Sequence, residues 1–449
     1  MVAKIARLSI FTILLLWLST GCFCRPAVAE GFTLISDAET QNYLADVLRP
    51  LFKAANLAFD PNKIYIVRDN SLNAFVSDGN NMFVHTGTLI EANNTNELSG
   101  ILAHETGHIL GGHIVRQKIK IQKMRYMMLG SMIAAGAAAV STGRGDAAMA
   151  VVLGSQSSAL NSLMHYQVQE ERSADESAVK LLRQTKQSPQ GLLNFMNKIK
   201  QKNILSGLEE NTYFRTHPLT TERMAHFKEA TRSNNFGTAH KSDSEFLMIK
   251  AKLAAFLLEK DKVARMYPPT DSSAPAQYAN AILAFRFGNI TRALSLIDSL
   301  LLKQPTNPYF YELKGQFLFE GGQVKKSLES YKRALQLLPN NYLLQTSLAH
   351  ALLESSPNKE TLQYAIGLLQ KSLHQVNTPF GWQLLARAYD MNKQPAASYY
   401  AAAEYSYSED NPETAKRQLN NARKTGADKS LLLKISDLEQ RIKQDKDDE

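Results

Sequence analysis

Cysteine is almost absent from this sequence, and the two that occur lie close together near the N-terminus. Among 449 residues, only Cys22 and Cys24 are cysteines. Residues 1–29 have the features of an export signal, with a basic start, a short apolar run and an A-x-A sequence that ends at Ala29. Cleavage after Ala29 would leave a mature chain without cysteine, so packing rather than disulfide bonds would have to stabilise it.

Long hydrophobic runs are also scarce. The apolar run Ile10–Leu18 is too short to remain as a membrane anchor. An alternative use of the same segment is lipidation, because L-S-T-G-C, which ends at Cys22, resembles a lipoprotein box. Its leucine stands one place too far from the cysteine, so the sequence favours a signal peptide cleaved after Ala29 over a lipoprotein.

The charge excess is small and dispersed. The chain has 51 basic and 42 acidic residues, a net charge of +9, and the three basic residues before Ala29 leave +6 for the mature chain. No basic cluster of the kind that binds nucleic acid is apparent, so we expect no nucleic-acid partner and at most weak peripheral contact with anionic membranes. The apolar fraction of 44% is typical of a globular protein.

The chemistry is indicated by H-E-x-x-H at His104, Glu105 and His108. Residues four apart share one face of a helix, which places the two imidazoles where a tetrahedral zinc ion can bind both. Glu105 lies about 100° around such a helix, close enough to reach a zinc-bound water without being a ligand. The motif therefore predicts two metal ligands and a catalytic carboxylate.

Three glycines, Gly107, Gly111 and Gly112, accompany this motif although glycine disfavours helices. Their presence predicts that other elements pack closely against the helix.

A third ligand is predicted in the amphipathic segment 166–182, where Glu171 and Asp175 share one face. A carboxylate from Glu171 would complete a His/His/Glu set and leave the fourth position open. Asp175 would then hold a ligand imidazole through its distal N–H. A solvated acidic face is the alternative, and the preceding histidine motif favours the ligand.

One more histidine fits the same site. His217 precedes Pro218, which favours an extended backbone and a helix that starts afterwards. An imidazole on such a loop could hydrogen-bond a tetrahedral oxyanion.

Short β-rich segments before the zinc motif predict a small antiparallel sheet. Extended peptides can bind the edge of a sheet by strand addition. We expect the edge strand to be the segment Met82, Phe83, Val84 and His85.

Residues 120–165 contain two methionine-rich apolar stretches around a Gly-rich turn, each too short to span a membrane. The composition fits a helical hairpin packed on the core, and equally a flap over the active site or a membrane contact.

Beyond a predicted linker at residues 233–245, the sequence becomes repetitive. Pro305 and Pro339 end two similar segments and are separated by 34 residues, the tetratricopeptide period. The key packing positions between them are occupied by suitable residues: Tyr311, Gly315, Phe319, Tyr331 and Ala334. Such helix pairs stack into a superhelix with a concave surface for protein partners.

Five motifs in a fixed order carry a family resemblance: L-N-A-F, M-F-V-H-T-G, A-H-E-T-G-H, E-R-S-A-D and T-H-P-L-T-T-E-R-M. This order resembles the gluzincin peptidases that include HtpX and the type I CAAX prenyl proteases. The resemblance implies one Zn²⁺ per chain, with His104, His108 and Glu171 as ligands and Glu105 as the catalytic carboxylate. It also implies that His217 can occupy the open zinc position and keep the enzyme latent.

The resemblance is greatest to members of this family that carry C-terminal repeats, which are periplasmic. It therefore implies a periplasmic location and clients among outer-membrane β-barrel proteins and their assembly machinery.

The expected activity is a zinc metalloendopeptidase; a chaperone or assembly adaptor with a largely latent protease site is the alternative. The expected fold is mainly α, with a zincin-like α+β catalytic domain followed by an all-α tetratricopeptide superhelix. The predicted segments are a signal peptide (1–29), a peptidase domain (30–232), a linker (233–245), a repeat domain (246–443) and a charged tail (444–449).

Overall fold

The computed structural model describes residues 33–124, 126, 129, 166–206, 217–232 and 243–448. The predicted signal peptide, most of the hairpin at 120–165 and most of the linker lie outside the described residues. The strands are β1 (Leu34–Ile35), β2 (Ile64–Val67), β3 (Ala74–Ser77) and β4 (Asn81–His85). The helices of the first half of the chain are α1 (Ala38–Ala54), α2 (Thr86–Glu91), α3 (Thr95–Leu110), α4 (113–124), α5 (166–184), α6 (Gln190–Ser206) and α7 (Thr221–Thr231).

The sheet is mixed and not antiparallel, which corrects the sequence-based expectation. Its strand order is β1-β2-β4-β3. β4 pairs in parallel with β2 and antiparallel with β3. The segment Met82 to His85 therefore lies inside the sheet and is not an edge strand, because strand β3 pairs on its outer side. The expectation failed because a strand's position in a sheet depends on crossover connections, which local sequence patterns do not specify.

Helix α3 carries the H-E-x-x-H motif and is buried over almost its whole length. Asn94 caps it by accepting a 3.0 Å hydrogen bond from the Glu97 backbone N–H. Glycines allow its neighbours to approach: a Cβ on Gly100 would lie 2.6 Å from the Leu192 nitrogen of α6, and one on Gly107 would lie 2.6 Å from the Ala174 oxygen of α5. The predicted close packing is thus confirmed at Gly107.

The repeat half consists of helix pairs that stack on one another, as the sequence predicted. Its helices are α8 (Asp243–Leu257), α9 (Lys260–Met266), α10 (Ala274–Arg286), α11 (Ile290–Lys303), α12 (Pro308–Glu320), α13 (Val324–Leu337), α14 (Tyr342–Glu354), α15 (Lys359–Gln375), α16 (Pro379–Met391), α17 (Pro395–Ser408), α18 (Pro412–Lys424) and α19 (Lys429–Asp448). Helix α19 includes most of the segment expected to be a charged tail. Within the described residues, no helix combines the length and apolar character needed to cross a bilayer.

Helix α8 belongs to two hydrophobic cores at once. Its residues Phe246, Ile249 and Leu253 pack into the core of the first half of the chain. Met248 and Ala251, on the other face, pack into the core of the first repeats. The predicted domain boundary at residue 246 thus falls within a helix that both halves share.

Helix α1 also contacts the repeats, through tyrosines on the first helices of three successive pairs. The Tyr278 hydroxyl of α10 donates a 2.8 Å hydrogen bond to Glu39. Asn42 donates a 3.0 Å bond to the Tyr309 hydroxyl of α12. The Tyr342 hydroxyl of α14 donates a 3.2 Å bond to Gln41.

A buried ion-pair cluster reinforces this contact. Lys252 of α8 is 5% exposed, and its ammonium group contacts Asp37 and lies 3.3 Å from a Glu39 oxygen. Burial opposes the charge of Lys252, but Asp37, Tyr278 and Glu39 raise its pKa well above the usual value. The two halves are therefore held together by desolvated charges as well as by apolar packing.

Candidate metal centre

The two histidines of the motif lie side by side on α3. His104 and His108 are 0% and 7% exposed, and their Nε2 atoms are 3.1 Å apart. Helical spacing explains this pairing, because side chains four residues apart lie over one another. Both imidazoles present the nitrogen needed to bind a common ion.

Glu171 enters from α5, as the sequence predicted. Its Oε1 lies 3.2 Å from His108 Nε2, and its Oε2 lies 3.3 Å from His104 Nε2. The side chain is buried. The absence of a side chain on Gly107 brings α5 close enough to α3 for this carboxylate to reach both histidines.

His217 completes the cluster from the turn before α7. Its Nδ1 lies 2.9 Å from Glu171 Oε1 and 3.3 Å from His104 Nε2. The potential ligand atoms of His104, His108, Glu171 and His217 all lie within 4.8 Å of one another. Four donors of the types that zinc prefers thus converge on one small volume.

Glu105 lies beside these donors without joining them. It is 0% exposed, and neither carboxylate oxygen accepts a hydrogen bond from the described part of the chain. The ring of His217 lies beside it, with Nε2 3.5 Å from Glu105 Oε1. Burial raises the pKa of Glu105. A buried carboxylate without hydrogen bonds is costly, and a water on a metal at the cluster would give it a partner.

Asp175 and Arg223 support the cluster from behind. Asp175 Oδ1 lies 2.9 Å from His104 Nδ1, the ring nitrogen that faces away from the cluster. Arg223 binds both oxygens of Asp175, at 2.6 and 2.8 Å, and also reaches Glu171 Oε2 at 2.7 Å. It donates a further 2.8 Å hydrogen bond to the Pro218 carbonyl. Arg223 therefore links α5 to the loop that carries His217.

The electrostatics differ between the two motif histidines. Burial would lower the pKa of His104, but Asp175 and Glu171 outweigh it and raise the pKa to about 10. Burial lowers the pKa of His108 to about 3. Burial also opposes ionisation of Glu171, yet the surrounding histidines lower its pKa well below the usual value. The cluster therefore favours an ionised Glu171 and a neutral His108, the forms in which these groups bind metals, whereas His104 must lose its proton to do so.

The sequence predicts one site for six residues that the structure brings together: His104, Glu105, His108, Glu171, Asp175 and His217. One buried histidine beside them was not predicted. His113 is 2% exposed, and its Nδ1 lies 2.9 Å from His108 Nδ1. The Gly111-Gly112 pair immediately before His113 could have predicted this position, because two adjacent glycines favour a break in the helix.

Residues 38–231 match the family described as Peptidase family M48. This match and the convergence of ligand side chains define the class of the protein, a metallopeptidase whose residues 38–231 are similar to the M48 family. Over 385 residues the chain is 24% identical to a protein of Yersinia pestis named beta-barrel assembly-enhancing protease, covering 83% of this chain and 76% of that one. The protein of the same name from Escherichia coli is 23% identical over 372 residues, with 79% and 73% covered. Metalloprotease LoiP of Escherichia coli is 29% identical over 167 residues, 37% of this chain and 61% of its own.

A solved tetratricopeptide protein from Thermus thermophilus covers 39% of this chain and 92% of its own, with 15% identity and a TM-score of 0.29. The repeat architecture is defined by the stacked helix pairs themselves.

Proposed function

We propose that this chain is an exported zinc endopeptidase that acts in the periplasm on outer-membrane β-barrel proteins and their assembly machinery. The observation that carries the proposal is the buried convergence of His104, His108 and Glu171 beside the carboxylate of Glu105. The names of the relatives that match most of the chain support the class of client.

The residues of the site have distinct roles in peptide hydrolysis. His104, His108 and Glu171 would hold the zinc ion, which when bound supplies Lewis acidity toward water and the scissile carbonyl. Glu105 accepts the proton of the attacking water and delivers it to the leaving amine. Asp175 orients His104 through the 2.9 Å contact at Nδ1.

Strand β3 is the better candidate for aligning a substrate, because β4 is enclosed between β2 and β3. β3 ends the sheet among the described residues and packs beside α3. An extended peptide added to β3 would run next to the helix that carries Glu105. The repeats would bind the folded or assembling part of the client.

The decisive variant for proteolysis is Glu105→Gln. We expect cleavage of an unfolded protein substrate to fall by about 10²–10⁴-fold, the contribution of a positioned acid–base group, while zinc content stays constant. Glu176→Gln, on an exposed position of α5, is the matched control and should cleave at the wild-type rate. Wild-type cleavage by Glu105→Gln would exclude Glu105 as the catalytic carboxylate.

The position of His217 favours a second function, that of an assembly adaptor whose protease is latent. Its Nδ1 lies 2.9 Å from Glu171 and its ring borders both motif histidines, so we propose that it occupies the fourth zinc position at rest. If Glu105→Gln supports outer-membrane assembly as well as wild type does, proteolysis is not the main function.

His217→Ala tests the latch. Removing the imidazole should raise turnover of an unfolded substrate at unchanged zinc content, because the fourth position becomes open to water. Turnover as low as that of Glu105→Gln would instead make His217 an essential group, one that stabilises the oxyanion.

A further inference from the structure

The chain reverses direction immediately after the zinc motif. Helix α3 ends at Leu110, and Gly112 adopts φ +62°, a left-handed conformation that L side chains rarely take. The next helix, α4, begins at once with His113. This turn folds the His113 ring back against α3 and buries it, which continued helix would not do.

Gly111 provides the space for that ring. A Cβ on Gly111 would lie 2.2 Å from His113 Nε2 and 2.6 Å from its Cδ2. Arg116 of α4 contacts the Gly111 carbonyl and fixes the turn. The two glycines thus serve a single arrangement, in which one shapes the backbone and the other admits the imidazole.

The ring approaches His108 from its outward side, at the nitrogen that faces away from the other ligand atoms. His113 Nδ1 lies 2.9 Å from His108 Nδ1, and the two rings are nearly perpendicular, at 81°. His108 Nε2 faces the other way, 3.1 Å from His104 Nε2 and 3.2 Å from Glu171. A neutral imidazole that offers the Nε2 lone pair to a metal carries its proton on Nδ1. The Nδ1 pair is then a hydrogen bond in which His108 donates and His113 accepts.

We propose that His113 is the positioning residue for the second metal ligand: it fixes the tautomer and ring orientation of His108, and Gly111 exists to admit it. The inference rests on the proposed metal site. Under this proposal, the two ligand histidines have different hydrogen-bond partners at their outward nitrogens. His104 is held by the carboxylate of Asp175, whereas His108 is held by a neutral imidazole.

The test compares two nearly isosteric substitutions in the full chain, His113→Asn and His113→Leu. Asparagine places an acceptor oxygen where Nδ1 stands, and leucine places a methyl group there. Zinc affinity is measured by competition with a chromophoric chelator. We expect His113→Leu to bind zinc about 10–100-fold more weakly, the usual effect of losing an outer partner of a ligand, and His113→Asn to recover most of that loss.

Equal zinc affinity of the leucine and asparagine variants would overturn the positioning role. Failure of the wild-type protein to bind zinc would remove the proposed metal site itself, so the two failures are distinguishable. Thermal unfolding of the metal-free proteins provides the folding control, and the two variants should unfold within a few degrees of each other.

Gly111→Ala gives an independent test, because its added methyl group must displace the His113 ring. It should weaken zinc binding, and it should add little to the defect of His113→Leu, since both changes remove the same contact. Additive losses in the double variant would show that Gly111 acts independently of His113 and overturn that part of the proposal.

Discussion

Two polar clusters in this protein both place carboxylates out of contact with water but differ in how the negative charge is balanced. At the contact between peptidase and repeats, Asp37 and Glu39 surround the ammonium group of Lys252, so the cation belongs to the chain. At the candidate metal centre, Oε1 of Glu171 lies within 3.2 Å of both His108 and His217, and Arg223 engages the opposite oxygen. In the first cluster, the Lys252 side chain supplies the positive charge. In the second, the ligand atoms converge on a volume that suits a bound metal ion.

The comparison teaches that burial of charge does not by itself indicate a catalytic site. Buried carboxylates need a partner in either case. What distinguishes the metal centre is that its donor atoms share one small volume and that the carboxylate of Glu105, beside them, accepts no hydrogen bond among the described residues. Removing the central cation should therefore affect chemistry in one cluster and folding in the other.

The largest effect is expected from His104→Ala. It removes one metal ligand, so zinc content should fall and cleavage of an unfolded substrate should drop by at least about a thousandfold, roughly 4 kcal/mol of activation free energy. Metal analysis and turnover are measured on the same sample. Full zinc occupancy in this variant would remove His104 from the ligand set. It would also contradict the assignment of this cluster as the one that binds a metal ion.

The next effect is expected from Lys252→Met, which leaves the buried Glu39 and the partly buried Asp37 without their cation. The free energy of unfolding should fall by about 3–5 kcal/mol, the usual result of removing one partner of a buried pair. Zinc content of the folded fraction should not change. Lys262→Met, at an exposed position of α9, is the control and should stay within about 0.5 kcal/mol of wild type. Unchanged stability of Lys252→Met in denaturant titrations would make this cluster dispensable.

A smaller, pH-dependent effect is expected at Glu312 of α12, near the same cluster. Burial raises its pKa to about 7. Because the folded-state pKa is above that of an unfolded glutamate, wild type should lose stability as pH rises from about 4.5 to about 7, by at most about 3 kcal/mol.

Glu312→Gln removes this titration, so its advantage over wild type should be absent below about pH 4.5 and constant above about pH 7. Denaturant titrations of both proteins across this range measure the difference. A constant difference at every pH would exclude titration of Glu312 as the cause.

The sequence indicated which side chains converge at the candidate metal centre because their spacing follows local rules. The spacing of His104 and His108 fixes a shared helix face, and the acidic pair Glu171 and Asp175 obeys the same rule on another helix. The contact of His113 with His108 was not predicted, because it depends on the positive φ angle of Gly112, which a helical sequence pattern does not reveal. The bridging role of Arg223 depends on how three separate segments pack together.

The fold was predicted in outline for similar reasons. Helix pairs of the repeats follow a fixed period, so the repeat at Pro308–Asn341 could be recognised from its packing residues. The strand order of the sheet could not be recognised, because the parallel pairing of β2 with β4 depends on how the chain crosses over β3. The double role of α8 was also missed, since both of its faces are apolar and the sequence does not say which core each one meets.

The tyrosines of α10, α12 and α14 that contact α1 occupy surface that a protein bound to the repeats could otherwise use. Each repeat helix presents one hydroxyl group to the same N-terminal helix, so α1 acts as a ligand tethered within its own chain. A tethered ligand is present at a high effective concentration. A free client that needs those three helix faces must displace α1, whereas a client that binds the later helix pairs meets no such rival from α1.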